Sequence, residues 1–77
     1  MRVVSQNREV DVPYEHSVFY IKNKTSCYVI TSCTYGDAVE FNLATFKEKE
    51  QAVKGLEDLR NSFLSGFPCY EFKNNPI

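Results

Sequence analysis

Val39-Glu40-Phe41-Asn42-Leu43 alternates apolar and polar residues, and beyond Phe46 the period changes: Ala52, Leu56, Leu59 and Phe63 recur at spacings of 4, 3 and 4. Period 2 puts Val39, Phe41 and Leu43 on one face of a strand, with Glu40 and Asn42 on the other. The longer period predicts an amphipathic helix over about 48–64, its apolar stripe widened by Val53. Gly66 and then Pro68 end it, one accepting a left-handed backbone and the other unable to continue a helix. A strand with one wet face, followed by a helix ~25 Å long, predicts an antiparallel sheet carrying that helix on its dry face.

Two residues work against the helix. Lys47 stands at the expected N-cap, where a short oxygen-bearing side chain normally accepts a backbone N–H; Thr45 is the alternative. Gly55 costs about 1 kcal/mol relative to alanine unless close packing needs its missing side chain. The helix therefore depends on its stripe meeting the sheet.

Outward from this segment the chain reads as strands. Arg2–Ser5 and the alternating Glu9–Val12 form a hairpin across Gln6-Asn7-Arg8, in which Asn7 is the residue tolerant of a left-handed backbone. Pro13 fits a strand end or an edge. Ser17–Lys22 and Cys27–Cys33 are β-branched and aromatic, with Lys22-Asn23-Lys24-Thr25 as the turn between them. Thr34-Tyr35-Gly36-Asp37 makes the next reversal, with Gly36 free to take positive φ. Pro68–Phe72 alternates once more as a last strand, and 73–77 is a polar tail expected to fray. The expected class is α+β: a single domain over 1–77, with an antiparallel meander of four to five strands, one long helix on one sheet face and a short C-terminal strand.

Seventy-seven residues (8.9 kDa) give room for one thin core, since about 63% of the extended chain's surface is removed from water at this size. A hydrophobic content of 43%, with six Phe and five Tyr, argues against disorder. Nine Lys/Arg against ten Asp/Glu leave a net charge of −1, without the clustered positive field that phosphate binding requires. Three cysteines cannot form a complete set of internal disulfides. The N-terminus turns polar by Ser5-Gln6, too early for a secretory signal, and no apolar run reaches the ~18 residues of a membrane span. These features lead us to expect a cytoplasmic protein with reduced thiols and no membrane contact.

Arg2-Val3-Val4-Ser5-Gln6 with Asp11-Val12-Pro13-Tyr14-Glu15, together with the segment Ala44-Thr45-Phe46 through Ala52-Val53-Lys54, Leu56-Glu57 and Leu59-Arg60, resembles a family of small uncharacterised proteins. Those proteins come from Gram-positive bacteria and their phages or mobile elements. The resemblance covers nearly half the chain and implies a bacterial, phage-related origin. It brings no functional residues with it. The chain departs from the family pattern at Asn7-Arg8, where Asp-Gly is usual, and at Lys47, where a small hydroxyl residue is usual.

The chemistry-bearing residues assemble no known site. Cys27, Cys33, Cys69 and His16 could in principle supply four zinc ligands. Structural zinc sites, however, draw ligands in close pairs, and six residues of strand separate Cys27 from Cys33 by ~20 Å. His16 lacks an orienting third group for Cys–His catalysis. Gly36, Gly55 and Gly66 are too scattered for a phosphate loop, and Glu9 and Asp11 read as a solvated face. We therefore expect no enzyme activity, no cofactor, no metal and no catalytic residues.

What remains is aromatic surplus. Tyr14, Phe19, Tyr20, Tyr28, Tyr35, Phe41, Phe46, Phe63, Phe67, Tyr70 and Phe72 exceed what one helix on one sheet needs to bury. The leading expectation is a protein-binding or self-associating module, a homodimer among its forms, using an edge strand or these aromatics. The alternative is a single-stranded nucleic-acid-binding β-domain whose tyrosines stack on bases, against which the charge speaks. A further alternative is a structural or accessory protein with no ligand.

Overall fold

The computed structural model describes residues 1–34, 36 and 39–73. The chain runs β1 (Arg2–Val4), β2 (Asp11–Pro13), a 3-10 turn (Tyr14–His16), β3 (Ser17–Asn23), β4 (Tyr28–Thr34), β5 (Glu40–Phe46), α1 (Lys49–Leu64) and β6 (Cys69–Glu71). This is the α+β fold that the change of period predicts. The strands nevertheless divide into two three-stranded sheets, ordered β2-β1-β6 and β3-β4-β5. The second is the antiparallel meander; in the first, β6 returns parallel to β1 after the helical crossover.

The helix lies on the meander through Ala52, Gly55 and Leu59, which are buried, with Leu56 half-buried. Val53 and Phe63 belong to the predicted stripe but are 38% and 36% exposed. Gly55 accounts for the shift. A Cβ built there would stand 3.1 Å from Ile30 Cδ1 and 3.3 Å from Phe46 Cζ, so the helix sits closest to the sheet along the Gly55 line and its flanks turn outward. Ile30, Leu43, Ala44 and Phe46 from the meander meet Val3, Val12 and Phe72 from the other sheet in one core with Ala52 and Leu59.

Helix entry also differs from expectation. Neither Lys47 nor Thr45 caps; the N-cap is Glu48, whose backbone N–H donates to Gln51 Oε1 at 3.3 Å, one arm of a capping box. The exit is as predicted. Gly66 has φ +80°, its N–H donates to the Phe63 carbonyl, and the Phe67 N–H reaches the Ser62 carbonyl at 3.1 Å, the two bonds of a Schellman motif.

The β4–β5 register steps from Ile30–Ala44 to Thr31–Asn42 and leaves Leu43 as an extra residue, a β-bulge. The strict alternation of Val39, Phe41 and Leu43 therefore does not hold. Val39 lies outside the strand and is half exposed, while Phe41, opposite Ser32, falls in phase with Ala44 and Phe46. The outer face is not uniformly wet either, because Val29 and Thr31 of the central strand are buried. Lys22 and Thr45 flank Val29, Tyr20 and Asn42 flank Thr31, and Lys22 Nζ reaches Glu40 Oε1 at 2.6 Å across β4.

In the first hairpin Arg8, not Asn7, takes the left-handed conformation, with φ 63°. Asn7 is instead an acceptor: its Oδ1 receives the Ser5 hydroxyl at 2.6 Å and the Glu9 N–H at 3.0 Å. A left-handed arginine costs about 1 kcal/mol, more than its exposed ion pair with Glu71 returns. Arg8→Gly is expected to raise stability by about 0.5 kcal/mol, after the entropy glycine adds to the unfolded chain, read as a higher urea midpoint. The β3–β4 turn closes through Lys24 N–H to the Cys27 carbonyl, two residues later than predicted. Gly36 has the expected positive φ. Tyr35 and Asp37 of the predicted 34–37 reversal, and 74–77 of the predicted 73–77 tail, lie outside the described residues.

Ser32 is fully buried in β4, between Phe19 and Phe41 in the register, and its hydroxyl has no hydrogen-bond partner among the described residues. An unpaired buried hydroxyl costs about 1–3 kcal/mol. Ser32→Ala is accordingly expected to stabilise the protein by about 1 kcal/mol in equilibrium denaturation, and a loss of similar size would contradict it.

Candidate interaction surface

The predicted thiol and histidine candidates do not converge. Cys27 sits in the β3–β4 turn, Cys33 near the end of β4, Cys69 on exposed β6, and His16 is exposed in the 3-10 turn. Among the described residues no three His, Cys, Asp or Glu side chains group as metal ligands. Glu9 and Asp11 do not act as a pair: Asp11 accepts from Arg2 Nε at 2.8 Å, and Glu9 lies outside the strand. The Met1 ammonium bonds the Glu15 carboxylate and holds its pKa below the usual value. A cleft of about 230 Å³ opens between α1 and β6, where Gln51, Lys54 and Asp58 face Tyr70 and Phe72. It is smaller than ordinary ligand sites of ~300–1,000 Å³, and two open hollows, of about 390 Å³ beside Gln6, Arg8 and Glu71 and about 320 Å³ beside Asn61, Ser65 and Phe67, reach only the lower end of that range. Burial, reinforced by Asp58, pushes the Tyr70 phenol up.

Strand edges are more informative. An open edge exposes a row of unpaired N–H and C=O groups, and proteins normally shorten, charge, bulge or cover it. The outer strands of the first sheet, β2 and β6, have three residues each, and Pro13 closes β2. β5 is bulged and covered by Gln6. The Gln6 N–H donates to the Leu43 carbonyl at 2.7 Å, Gln6 Oε1 accepts the Thr45 N–H at 2.8 Å, and Gln6 Nε2 donates to the Lys73 and Thr45 carbonyls at 2.9 and 3.4 Å. One glutamine thus stands in for a strand and ties the two sheets together. Gln6→Ala is expected to cost about 2 kcal/mol and to speed hydrogen exchange at Thr45; an unchanged Thr45 amide would contradict this account.

β3 has only one of these devices, a single lysine. It is seven residues long, pairs with β4 in an unbroken register, and contains no proline. Among the described residues nothing pairs with its outer edge. Its one charge, Lys22, is tied to Glu40. Apolar surface borders it: Val18 is 43% exposed and Phe19 and Ile21 are half-buried. Phe19 stacks on Tyr14 with ring centroids 5.4 Å apart, and Tyr14 on Phe63 at 4.3 Å. Beyond Phe63, Leu64 and Phe67 are 74% and 57% exposed at the helix end.

The aromatic surplus seen in the sequence thus divides. Phe46 and Phe72 enter the core, and Tyr14, Phe19, Tyr20, Tyr28, Phe41 and Tyr70 are half-buried. Phe63 and Phe67 are exposed, and Tyr35 lies outside the described residues. The run Val18–Ile21 marks a strand in the sequence, but strand order alone decides that it is outermost. No helix among the described residues is long and apolar enough to cross a membrane. No family model, curated protein or solved structure matches the chain.

Proposed function

We propose that this protein is a non-enzymatic binding module that takes an extended segment of another polypeptide onto the outer edge of β3. The observation carrying this reading is that β3 is a seven-residue, regular, proline-free edge in a molecule whose other edges are short or covered. Strand addition draws affinity from main-chain hydrogen bonds and specificity from alternate side chains. Val18, Phe19 and Ile21, with Tyr14 and Phe63 beside them, offer apolar ground for those side chains.

Selection of random heptapeptides displayed on phage tests the reading. Enriched peptides are expected to be extended and rich in β-branched and aromatic residues, and to slow hydrogen exchange at the outward amides of β3. Binders that leave β3 unprotected and protect the α1–β6 cleft or the helix end instead would overturn it.

A further inference from the structure

We infer that the chain occupying the β3 edge is a second copy of this protein, paired antiparallel about a two-fold axis at Tyr20. This rests on the strand-addition reading above and names its partner. Ser17–Asn23 has Tyr20 at its centre, so a two-fold there is the one register that pairs all seven residues. An isologous contact must be complementary to itself, and this one is. Phe19 meets Ile21 of the second copy on the helix-bearing face, joining apolar residues that are half-buried in the single chain. On the opposite face Tyr20 meets Tyr20, and Val18 meets Lys22, the strand's single charge. No like charges face each other across the axis, where direct opposition is destabilising.

Size sets the strength. Seven residues at ~3.3 Å each give an edge ~23 Å long, on a molecule whose shortest extent is 19 Å. The contact then covers roughly 450 Å² per copy and roughly 900 Å² in all, below the ~1,200 Å² of stable specific interfaces and in the range of weak, transient ones. A reversible dimer follows, with a dissociation constant on the order of 10–1,000 µM.

Sedimentation equilibrium from 20 µM to 1 mM, with Val18 as the probe, tests both partner and register. Val18 is exposed in the single chain, so its substitution leaves the fold intact, which circular dichroism checks. Val18→Glu sets a carboxylate opposite Lys22 twice per dimer, in competition with Glu40, and is expected to tighten association about threefold. Val18→Lys sets like charges there and is expected to weaken it at least tenfold. A wild-type protein still monomeric at 1 mM, or a Val18→Glu variant no tighter than wild type, overturns the second copy as occupant. The peptide selection separates the two readings. Peptides that protect β3 in a protein that stays monomeric leave strand addition standing without self-pairing, whereas failure of both experiments removes both.

Discussion

Gly55→Val is expected to destabilise the protein by about 3 kcal/mol, although valine is the better helix former. Propensity favours any ordinary side chain over a mid-helix glycine by a few tenths to about 1 kcal/mol. At this position even the first carbon is tight, because a Cβ meets Ile30 Cδ1 at 3.1 Å and Phe46 Cζ at 3.3 Å. Both neighbours are core residues, 0% and 5% exposed, held by strands rather than free to swing away. Overpacking of this kind costs about 1–3 kcal/mol for the first methylenes, and the two methyls of valine add to it. Gly55→Ala isolates the first carbon and is expected to lose about 1 kcal/mol net. Ile30→Val removes the Cδ1 atom in question, so the double variant should recover most of that loss. A coupling of about 1 kcal/mol in the double-mutant cycle, measured by urea denaturation, checks the contact. Additive effects would mean that the helix does not approach the sheet along this line.

Leu59→Ala is expected to be the larger lesion, with a loss of about 3–4 kcal/mol. Leu59 is 2% exposed and joins the core where both sheets and the helix meet. Truncating a buried leucine forfeits its transfer free energy and leaves a cavity. A domain of this length holds only about 4–12 kcal/mol in total, so the variant is expected to be partly unfolded at 37 °C. Val53→Ala on the same helix is expected to change stability by less than 0.5 kcal/mol, about the range of surface substitutions. A thermal melt of the two variants side by side reads the difference directly. Equal losses would restore the apolar stripe that periodicity alone predicts and would displace the helix orientation found here.

These two pairs show where sequence reading stops. Spacing widened the stripe of Leu59 to Val53 because Val53 is apolar and adjoins Ala52, although it lies about 120° round the helix from Leu59. It could not weigh Gly55, whose effect is an absence that lets the backbone approach. Gln6 is a similar case: nothing local marks it as the cover of an edge 37 to 39 residues away, at Leu43 and Thr45. The bulge at Leu43 was hidden for a related reason, since both Leu43 and Ala44 are apolar and either phase of the strand looks plausible.

By itself the sequence determined the local elements: a period-2 run turning into a period-3.6 run, a Gly66 stop, and hairpins marked by polar turns. These follow from short-range sterics and from the side-chain directions of helix and strand. Tertiary structure alone decided the division into two sheets, the parallel return of β6, the helix seating on Gly55, and the choice of β3 as the open edge. Each depends on contacts between residues far apart in the chain, where the gain from burying apolar surface together is balanced against backbone hydrogen bonds that must all find partners. Local patterns say that an edge exists; only the assembled sheets say which strand is left without a neighbour.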